Sequence, residues 1–348
     1  MALQKPVRVL VVDDSAYIRK VVSQMLNKHP RIQVIGTARN GREALHQVEI
    51  LSPDVVTLDL LMPDMDGLGF LRQQMARRPL PVVVVSIASE EGEKALEALE
   101  LGALEFVQKP TALALSTVFE IEKDLQERVL TAASVPLARL NPGKMAGSTP
   151  LPVPAQRQGR VDAVVIGVST GGPQALRQLL PQLPADFPVP LAMVVHMPAG
   201  YTSLFAERLN RYSALEVLEA RDGLPMQPGR AILAPGGLHL RLRRNSKGQV
   251  VAMLEHNTQG KPHCPSVDVL FHSAADVYNG RTLAVVLTGM GNDGQEGAAW
   301  IKAQGGLVFA EHESSCVVYG MPRAVIEAGL ADRIVPLDAF AEAILSVV

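Results

Sequence analysis

Two α/β domains, each a doubly wound, mostly parallel sheet with helices on both faces, are what this sequence predicts. Three observations carry that prediction. At 348 residues the chain exceeds one ordinary domain. Short, near-continuous Val/Ile/Leu runs alternate with segments of helical periodicity, the pattern of strands buried on both faces. A proline-rich stretch without Asp or Glu divides this pattern into two halves.

In the first half the predicted strands are Val7–Val12, Ile32–Ile35, Val55–Leu58, Val82–Val85 and Glu105–Val107. Between the first two, Ala16–Lys28 carries Ile18, Val21, Val22, Met25 and Leu26 at helical spacing. From Arg128 the periodicity decays. Pro136, Pro142, Pro150, Pro152 and Pro154 are interspersed with Gly, Ser, Thr and Ala, and no acidic residue occurs between Glu127 and Asp162. Such a stretch buries too little apolar surface to offset its ordering entropy and reads as a linker. The second half repeats the alternation with longer crossovers, its clearest strands being Val161–Ile166, Leu191–Val195, Arg230–Leu233, Thr282–Leu287 and Gly306–Phe309. The expected division is 5–125, a linker over 126–159, and 160–348.

Composition narrows the function. Lys plus Arg number 33 against 35 Asp plus Glu, a net charge of −2, so no basic surface argues for nucleic acid or an anionic membrane. Aromatics at 4% weaken a base-stacking role as well. The two cysteines, Cys264 and Cys316, lack metal-ligand spacing and favour a reducing compartment. The N-terminus does not read as a signal peptide, and no apolar run approaches the ~20 residues that span a bilayer. A cytoplasmic protein, not embedded in a membrane, is expected.

In "VRVLVVDDSAYIRK" an apolar strand ends in Asp13 and Asp14, and in "DVVTLDLLMPDMDG" another ends in Asp59. The C-terminal ends of strands form the ligand face of open parallel sheets, so the three carboxylates are expected to converge there. Crowded like charges repel unless a cation joins them, and hard oxygen ligands with room for water favour Mg²⁺. Ser86 and the Lys109 of "FVQKP" fall at the next two strand ends. An Asp in such a place otherwise serves only to cap the following helix. On these motifs residues 5–125 resemble a response-regulator receiver domain, of flavodoxin-like fold. The resemblance implies that Asp59 accepts a phosphoryl group from a chemotaxis-type histidine kinase. Asp13, Asp14, Asp59 and the Leu61 carbonyl then hold Mg²⁺, Ser86 and Lys109 contact the phosphoryl group, and Phe106 occupies the switch-aromatic position. Phe106 lacks a hydroxyl, so a switch there works by packing alone.

In the second half, "VDAVVIGVSTGGPQAL" fits G-x-S-x-G through Gly167, Ser169 and Gly171, a sharp strand-to-helix turn that pushes a Ser hydroxyl outward. By itself this turn is equally a phosphate-binding or purely structural one. The dinucleotide spacing is absent, because Ser169 stands where the second Gly belongs. His196 follows the strand of "PLAMVVHMPAGY", and Asp293 lies in the glycine-rich loop of "TLAVVLTGMGNDGQEG". Ser, His and Asp are thus predicted on the C-terminal face of one sheet. A Ser hydroxyl needs a base to take its proton, and the base needs a carboxylate to orient it.

With "VVHMPAGYTSLFAERLN", "ILAPGGLHL", "HCPSVDVLF" and "SCVVYGMPRAVIEAG", residues 160–346 resemble the catalytic domain of chemotaxis protein-glutamate methylesterases. The resemblance implies Ser169 as nucleophile, His196 as base, Asp293 as its orienting carboxylate, and the Met290 N–H, with Thr170 near it, at the oxyanion. The implied substrates are glutamate γ-methyl esters, and by deamidation glutamine side chains, on the cytoplasmic helices of methyl-accepting chemoreceptors. No cofactor is implied for this reaction. Tyr201–Asn210 and Ser314–Tyr319 are candidate walls of a substrate cleft. Ala199 stands where the family commonly has Pro, and Leu61 where it often has Glu; neither removes a reacting group. His239, His256, His263, His272 and His312 read as loop or packing residues, and Trp300 as a helix-face residue. The competing reading from another class is a non-enzymatic signalling module whose phosphorylation only changes its partners.

Overall fold

The computed structural model describes residues 5–86, 88–109, 118–137, 161–258 and 260–348. The chain divides into two compact units, Met1–Met145 and Ala146–Val348. Among the described residues no helix is long and apolar enough to cross a membrane.

The first unit alternates strand and helix: β1 (Val7–Val12), α1 (Ala16–Asn27), β2 (Ile32–Ala38), α2 (Gly41–Leu51), β3 (Val55–Leu58), α3 (Gly67–Arg77), β4 (Val82–Ser86), α4 (Ala88–Glu100), β5 (Glu105–Gln108) and α5 (Val118–Ser134). The strands pair in parallel in the order β2-β1-β3-β4-β5. This order reverses direction at β1 and β3, and ligands of open α/β sheets bind outside the strand ends at such a point. Val9–Val12 and Val82–Val85 are buried because helices cover both sheet faces, which explains their unbroken apolar runs.

The linker expected over 126–159 begins too early. Helix α5 runs on to Ser134, with Leu125, Val129 and Ala132 buried along one face. Arg128 explains why it holds: it pairs with Glu105 on β5 and, at 2.8 Å, with Asp124 one turn back. The loss of acidic residues after Glu127 reflected an end of charge alternation, while the apolar stripe continued. The stretch 138–160 lies outside the described residues.

The second unit comprises β6 (Ala163–Val168), α6 (Gly172–Leu179), β7 (Leu191–Val195), α7 (Thr202–Tyr212), β8 (Glu216–Glu219), β9 (Arg230–Leu233), β10 (His239–Arg244), β11 (Val250–Glu255), α8 (Val267–Tyr278), β12 (Thr282–Val286), α9 (Gln295–Ala303), β13 (Leu307–Glu311), α10 (Met321–Glu327), β14 (Arg333–Val335) and α11 (Phe340–Leu345). Seven strands pair in parallel in the order β14-β13-β12-β6-β7-β9-β8, and β10 and β11 form a separate antiparallel hairpin. Alternate residues Ala163, Val165, Ala192, Val194, Ala284 and Val286 turn one sheet face onto Leu270, Phe271 and Ala274 of α8. The hairpin packs beneath the same helix through Leu240 and Leu242, and the Leu242 N–H donates to Ser273 Oγ at 3.0 Å. Strands β8, β10, β11 and β14 were not anticipated. They are short, at sheet edges or half-exposed, and in β8, β10 and β14 charged residues break the apolar pattern. The chain leaves β6 toward β7 on one side and β12 toward β13 on the other, so the switch point lies between β6 and β12.

Candidate active sites

In the first unit, capping falls to residues other than the strand-end carboxylates. Ser15 caps α1, accepting from the Ile18 N–H, and Asp66 caps α3, accepting from the Gly69 N–H at 2.8 Å. Asp13 Oδ1 accepts the Ser15 N–H at 2.8 Å, and neither Asp13 nor Asp59 serves as an N-cap. Asp13, Asp14 and Asp59 bring ligand oxygens within 4.8 Å of one another, with Asp13 and Asp59 buried and Asp14 exposed. Lys109 Nζ sits 2.7 Å from Asp59 Oδ1 and 3.3 Å from Asp13 Oδ2. Burial pushes both carboxyls above the usual range, outweighing the nearby Lys109 charge. Asp59 Oδ2 is buried and has no hydrogen-bond partner among the described residues. Two destabilised carboxylates, a third at the rim and an orphaned oxygen are a donor set that fits a hard divalent cation such as Mg²⁺.

Ser86 ends β4 and is buried, and its carbonyl accepts the Lys109 N–H at 2.8 Å, so both stand at the same end of the sheet as Asp59. The Leu61 side chain is exposed and its amide donates to Asp59 Oδ1 at 3.3 Å. Phe106 is buried in β5.

In the second unit, parallel register pairs Val168 with Val195, so Ser169 and His196 leave adjacent strand ends side by side. The His196 N–H donates to the Val168 carbonyl at 3.2 Å. Strand β6 lies between β7 and β12, and over its end His196 Nε2 meets Asp293 Oδ2 at 2.8 Å. The His196 side chain is 6% exposed, and its Nδ1 is buried without a hydrogen-bond partner among the described residues.

Asp293 is held by more than His196. Its Oδ1 accepts from Ser266 Oγ at 2.9 Å and the Asp268 N–H at 3.0 Å, and its Oδ2 also accepts from the Val267 N–H at 2.7 Å. These donors form the N-terminus of α8, where amides are otherwise orphaned and the helix dipole favours an anion. Burial alone would raise the Asp293 carboxyl. The His196 hydrogen bond and charge, with the two amides, instead hold it well below the usual range. Asp268 returns the favour to α9, accepting from the Gly294 and Gly297 N–H groups at 2.9 and 2.7 Å. The two helices thus cap each other through a pair of aspartates, and burial beside Asp293 pushes the Asp268 carboxyl up.

The nucleophile turn and the glycine-rich loop are bolted together. The Ser169 N–H donates to the Thr288 carbonyl at 3.0 Å, and Thr288 Oγ1 donates to the Thr170 carbonyl at 2.9 Å. A side chain at Gly289 would meet Ser169 Cβ at 2.8 Å and Met321 Sδ at 2.4 Å, so only Gly permits this approach. Gly171 adopts φ +78° to start α6, and a side chain there would also strike Val317 at 2.6 Å. Thr170 is buried, whereas Met290, the next residue after Gly289, is 38% exposed at the rim.

The matches with known proteins follow the same division. Residues 164–344 match the family model described as CheB methylesterase, and residues 9–117 match that of the response regulator receiver domain. The protein-glutamate methylesterase/protein-glutamine glutaminase 5 of Myxococcus xanthus is 51% identical over 97% of this chain and 97% of its own length. This chain belongs to the CheB methylesterase family. A relative of the same name from Halalkalibacterium halodurans is 44% identical over 99% of both chains. The crystal structure of the Thermotoga maritima CheB methylesterase catalytic domain is 43% identical, with a TM-score of 0.53, covering 55% of this chain and 100% of that one. These relationships favour an enzyme over a non-enzymatic module.

Sequence reasoning missed several residues that surround the CheB-type site. Ser266 and Thr288 lie inside the quoted motifs, but their roles depend on which loops meet. Glu311 is fully buried at the end of β13, where it accepts from the Thr288 N–H at 2.7 Å and Ser315 Oγ at 2.8 Å. His263, read as a loop or packing residue, stacks on His196 with ring centroids 4.2 Å apart and planes 17° from parallel.

Proposed function

We propose that this protein is a phosphorylation-regulated protein-glutamate methylesterase and protein-glutamine glutaminase acting on chemoreceptor helices, with Ser169, His196 and Asp293 as its triad. The contact that carries this reading is the 2.8 Å hydrogen bond of His196 Nε2 to a carboxylate held ionised by a helix N-terminus. Asp293 can only accept, so Nε2 carries the proton and Nδ1 keeps its lone pair. Nδ1 is then the base that takes the Ser169 proton as Oγ attacks the γ-carbonyl of a glutamyl methyl ester. The tetrahedral oxyanion is stabilised by backbone N–H donors at the rim, with that of Met290 the leading one and Thr170 beside it. His196 returns its proton to the departing methoxide, releasing methanol. Water, deprotonated by the same Nδ1, then hydrolyses the acyl-enzyme to glutamate. With a glutamine side chain the leaving group is ammonia. Each proton transfer is assigned to Ser169, His196 or water, so the reading routes no step of this reaction through a metal or cofactor.

In the receiver unit, Asp59 is the acceptor of a phosphoryl group from a chemotaxis-type histidine kinase. Asp13, Asp14, Asp59 and the Leu61 carbonyl hold Mg²⁺, which shields the incoming phosphate when bound. Lys109 and Ser86 grip the added charge, and Phe106 transmits the change by repacking. A cytoplasmic location follows from these partners. The domain limits proposed are the receiver from residue 5 through the end of α5 and the methylesterase domain from residue 160.

Methanol release from methylated receptor membranes tests both halves, with and without acetyl phosphate and Mg²⁺. Ser169→Ala is expected to lower turnover by about 10⁴-fold or more. Asp59→Asn is expected to retain basal turnover and lose its stimulation. A Ser169→Ala rate within a few fold of wild type would overturn the nucleophile assignment.

A further inference from the structure

The His196 ring is gripped at one point. Its Nε2 is fixed by Asp293, but Nδ1, the atom that must face the Ser169 hydroxyl, is buried without a partner among the described residues. One hydrogen bond sets the position of a ring atom and leaves the plane free to turn about that bond. Something else must fix the plane, and the only ring stacked on it among the described residues is that of His263.

His263 is itself exposed, so it covers a buried imidazole from the solvent side. Its chain segment is well fixed. The Cys264 carbonyl accepts the Gly237 N–H at 3.2 Å, Pro265 is buried, and Ser266 Oγ and the Val267 N–H bind Asp293. One short segment therefore carries both the cover of the His196 ring and the donors that hold its carboxylate. An offset of either shifts the other, and a misplacement of about 1 Å at a reacting group costs on the order of 10²-fold in rate.

We propose that His263 is a positioning residue for the reaction, its stacked ring fixing the plane of His196 so that Nδ1 stays aimed at the nucleophile. Asp293, bound at Nε2, supplies an acceptor and no flat surface to the ring.

The inference rests on the triad reading, and two variants of the full-length protein separate its failure from the failure of that reading. His263→Phe keeps a flat ring without a titrating group, and His263→Ala removes the cover at an exposed position where folding is not at stake. Turnover of methylated receptor membranes is expected to fall about 10-fold in His263→Ala with KM within twofold, and to stay within about threefold of wild type in His263→Phe. The His196 ring-proton resonances of substrate-free protein, assigned by NMR with His196→Asn, are expected to move in His263→Ala, where the stacked ring is lost, and to stay closer to wild type in His263→Phe, which keeps a ring there. A loss of turnover equal in both variants would overturn the proposal, as would a KM rise at unchanged kcat. An unaltered kcat with unaltered His196 ring resonances in His263→Ala would overturn it too. Should Ser169→Ala leave turnover intact, the triad reading falls while the His196 ring resonances still report on the stack.

Discussion

Asp59 and Asp293 stand in similar places, each a buried carboxylate beyond the end of a parallel strand, but their surroundings push them in opposite directions. Around Asp59 there is one lysine, one amide and two further carboxylates, and burial pushes its carboxyl above the usual range. Around Asp293 there are two helix amides, a serine hydroxyl and an imidazole, and the charged form is favoured despite its burial. The difference teaches what each site is built for. An under-coordinated carboxylate keeps acceptor capacity for a ligand, which is what the proposed receiver chemistry needs. A saturated one is a fixed electrostatic support, which must not change its own protonation while its neighbour does.

The sharpest way to break that comparison is at Asp293. Replacing it with Asn keeps the shape but turns an amide NH₂ toward either the His196 Nε2 side or the α8 amides, where only acceptors belong. His196 then loses the partner that fixes its tautomer. Turnover of methylated receptor membranes is expected to fall by about 10³- to 10⁴-fold with KM little altered, read by methanol release. Thermal unfolding of the second unit should drop as well, because buried helix amides lose an acceptor worth about 1–3 kcal/mol. A fall of less than tenfold would mean that the carboxylate is a helix cap and not part of the chemistry.

The opposite effect is expected at Asp59. Its carboxyl, like that of Asp13, titrates above the ordinary value in the folded protein. Between that ordinary value, about 3.9, and the raised ones, the native state binds more protons than the unfolded chain, so stability falls as pH rises through this window. Asp59→Asn removes one of the groups responsible. The first unfolding transition of the full-length variant is expected to lie on the order of 1–2 kcal/mol above wild type at pH 7, with the gap closing toward pH 4. Mg²⁺ should raise the wild-type transition at pH 7, by linkage to binding, and leave the variant nearly unmoved. A variant less stable than wild type at neutral pH would show that the Lys109 pairing outweighs the burial cost.

How much of this was legible before folding differs between the two sites as well. Asp13, Asp59, Ser169 and His196 each follow an apolar run directly and Lys109 follows one by a single residue, so the end of a strand announces them, and the rule that strand ends share a face brings them together. Asp293 lies several residues beyond its strand, but the density of glycines around it marked the loop. The unread residues lack such local marks. Glu311 looks like a surface charge ending a strand, and only the burial of that strand end makes it interior. His263 sits in a loop, and its contact with His196 depends on how α8 is placed against the sheet. The half-exposed strands β8 and β10 were missed for a related reason: they pack on one face only, and their charged positions broke the apolar run.

Glu311 offers the smallest and most discriminating perturbation, because it is a third buried carboxylate that belongs to neither extreme. Its Oε2 accepts the Thr288 N–H and its Oε1 the Ser315 hydroxyl, and Thr288 in turn ties the loop before Met290 to the turn that carries Ser169. In Glu311→Gln the amide oxygen can keep the Thr288 N–H while the NH₂ faces Ser315 Oγ. That hydroxyl can accept, since it also has the His312 carbonyl to donate to at 3.2 Å. One charge-assisted bond becomes a neutral one, at a cost of about 1 kcal/mol in unfolding free energy, with turnover reduced no more than about threefold. Glu311→Ala leaves the Thr288 N–H buried and unsatisfied, so a further ~1–3 kcal/mol and a larger fall in kcat at constant KM are expected. If both variants unfold alike but differ in kcat, the carboxylate acts on the loop that positions the oxyanion donors. If kcat is equal in both, its role ends with holding β13 to the rest of the sheet.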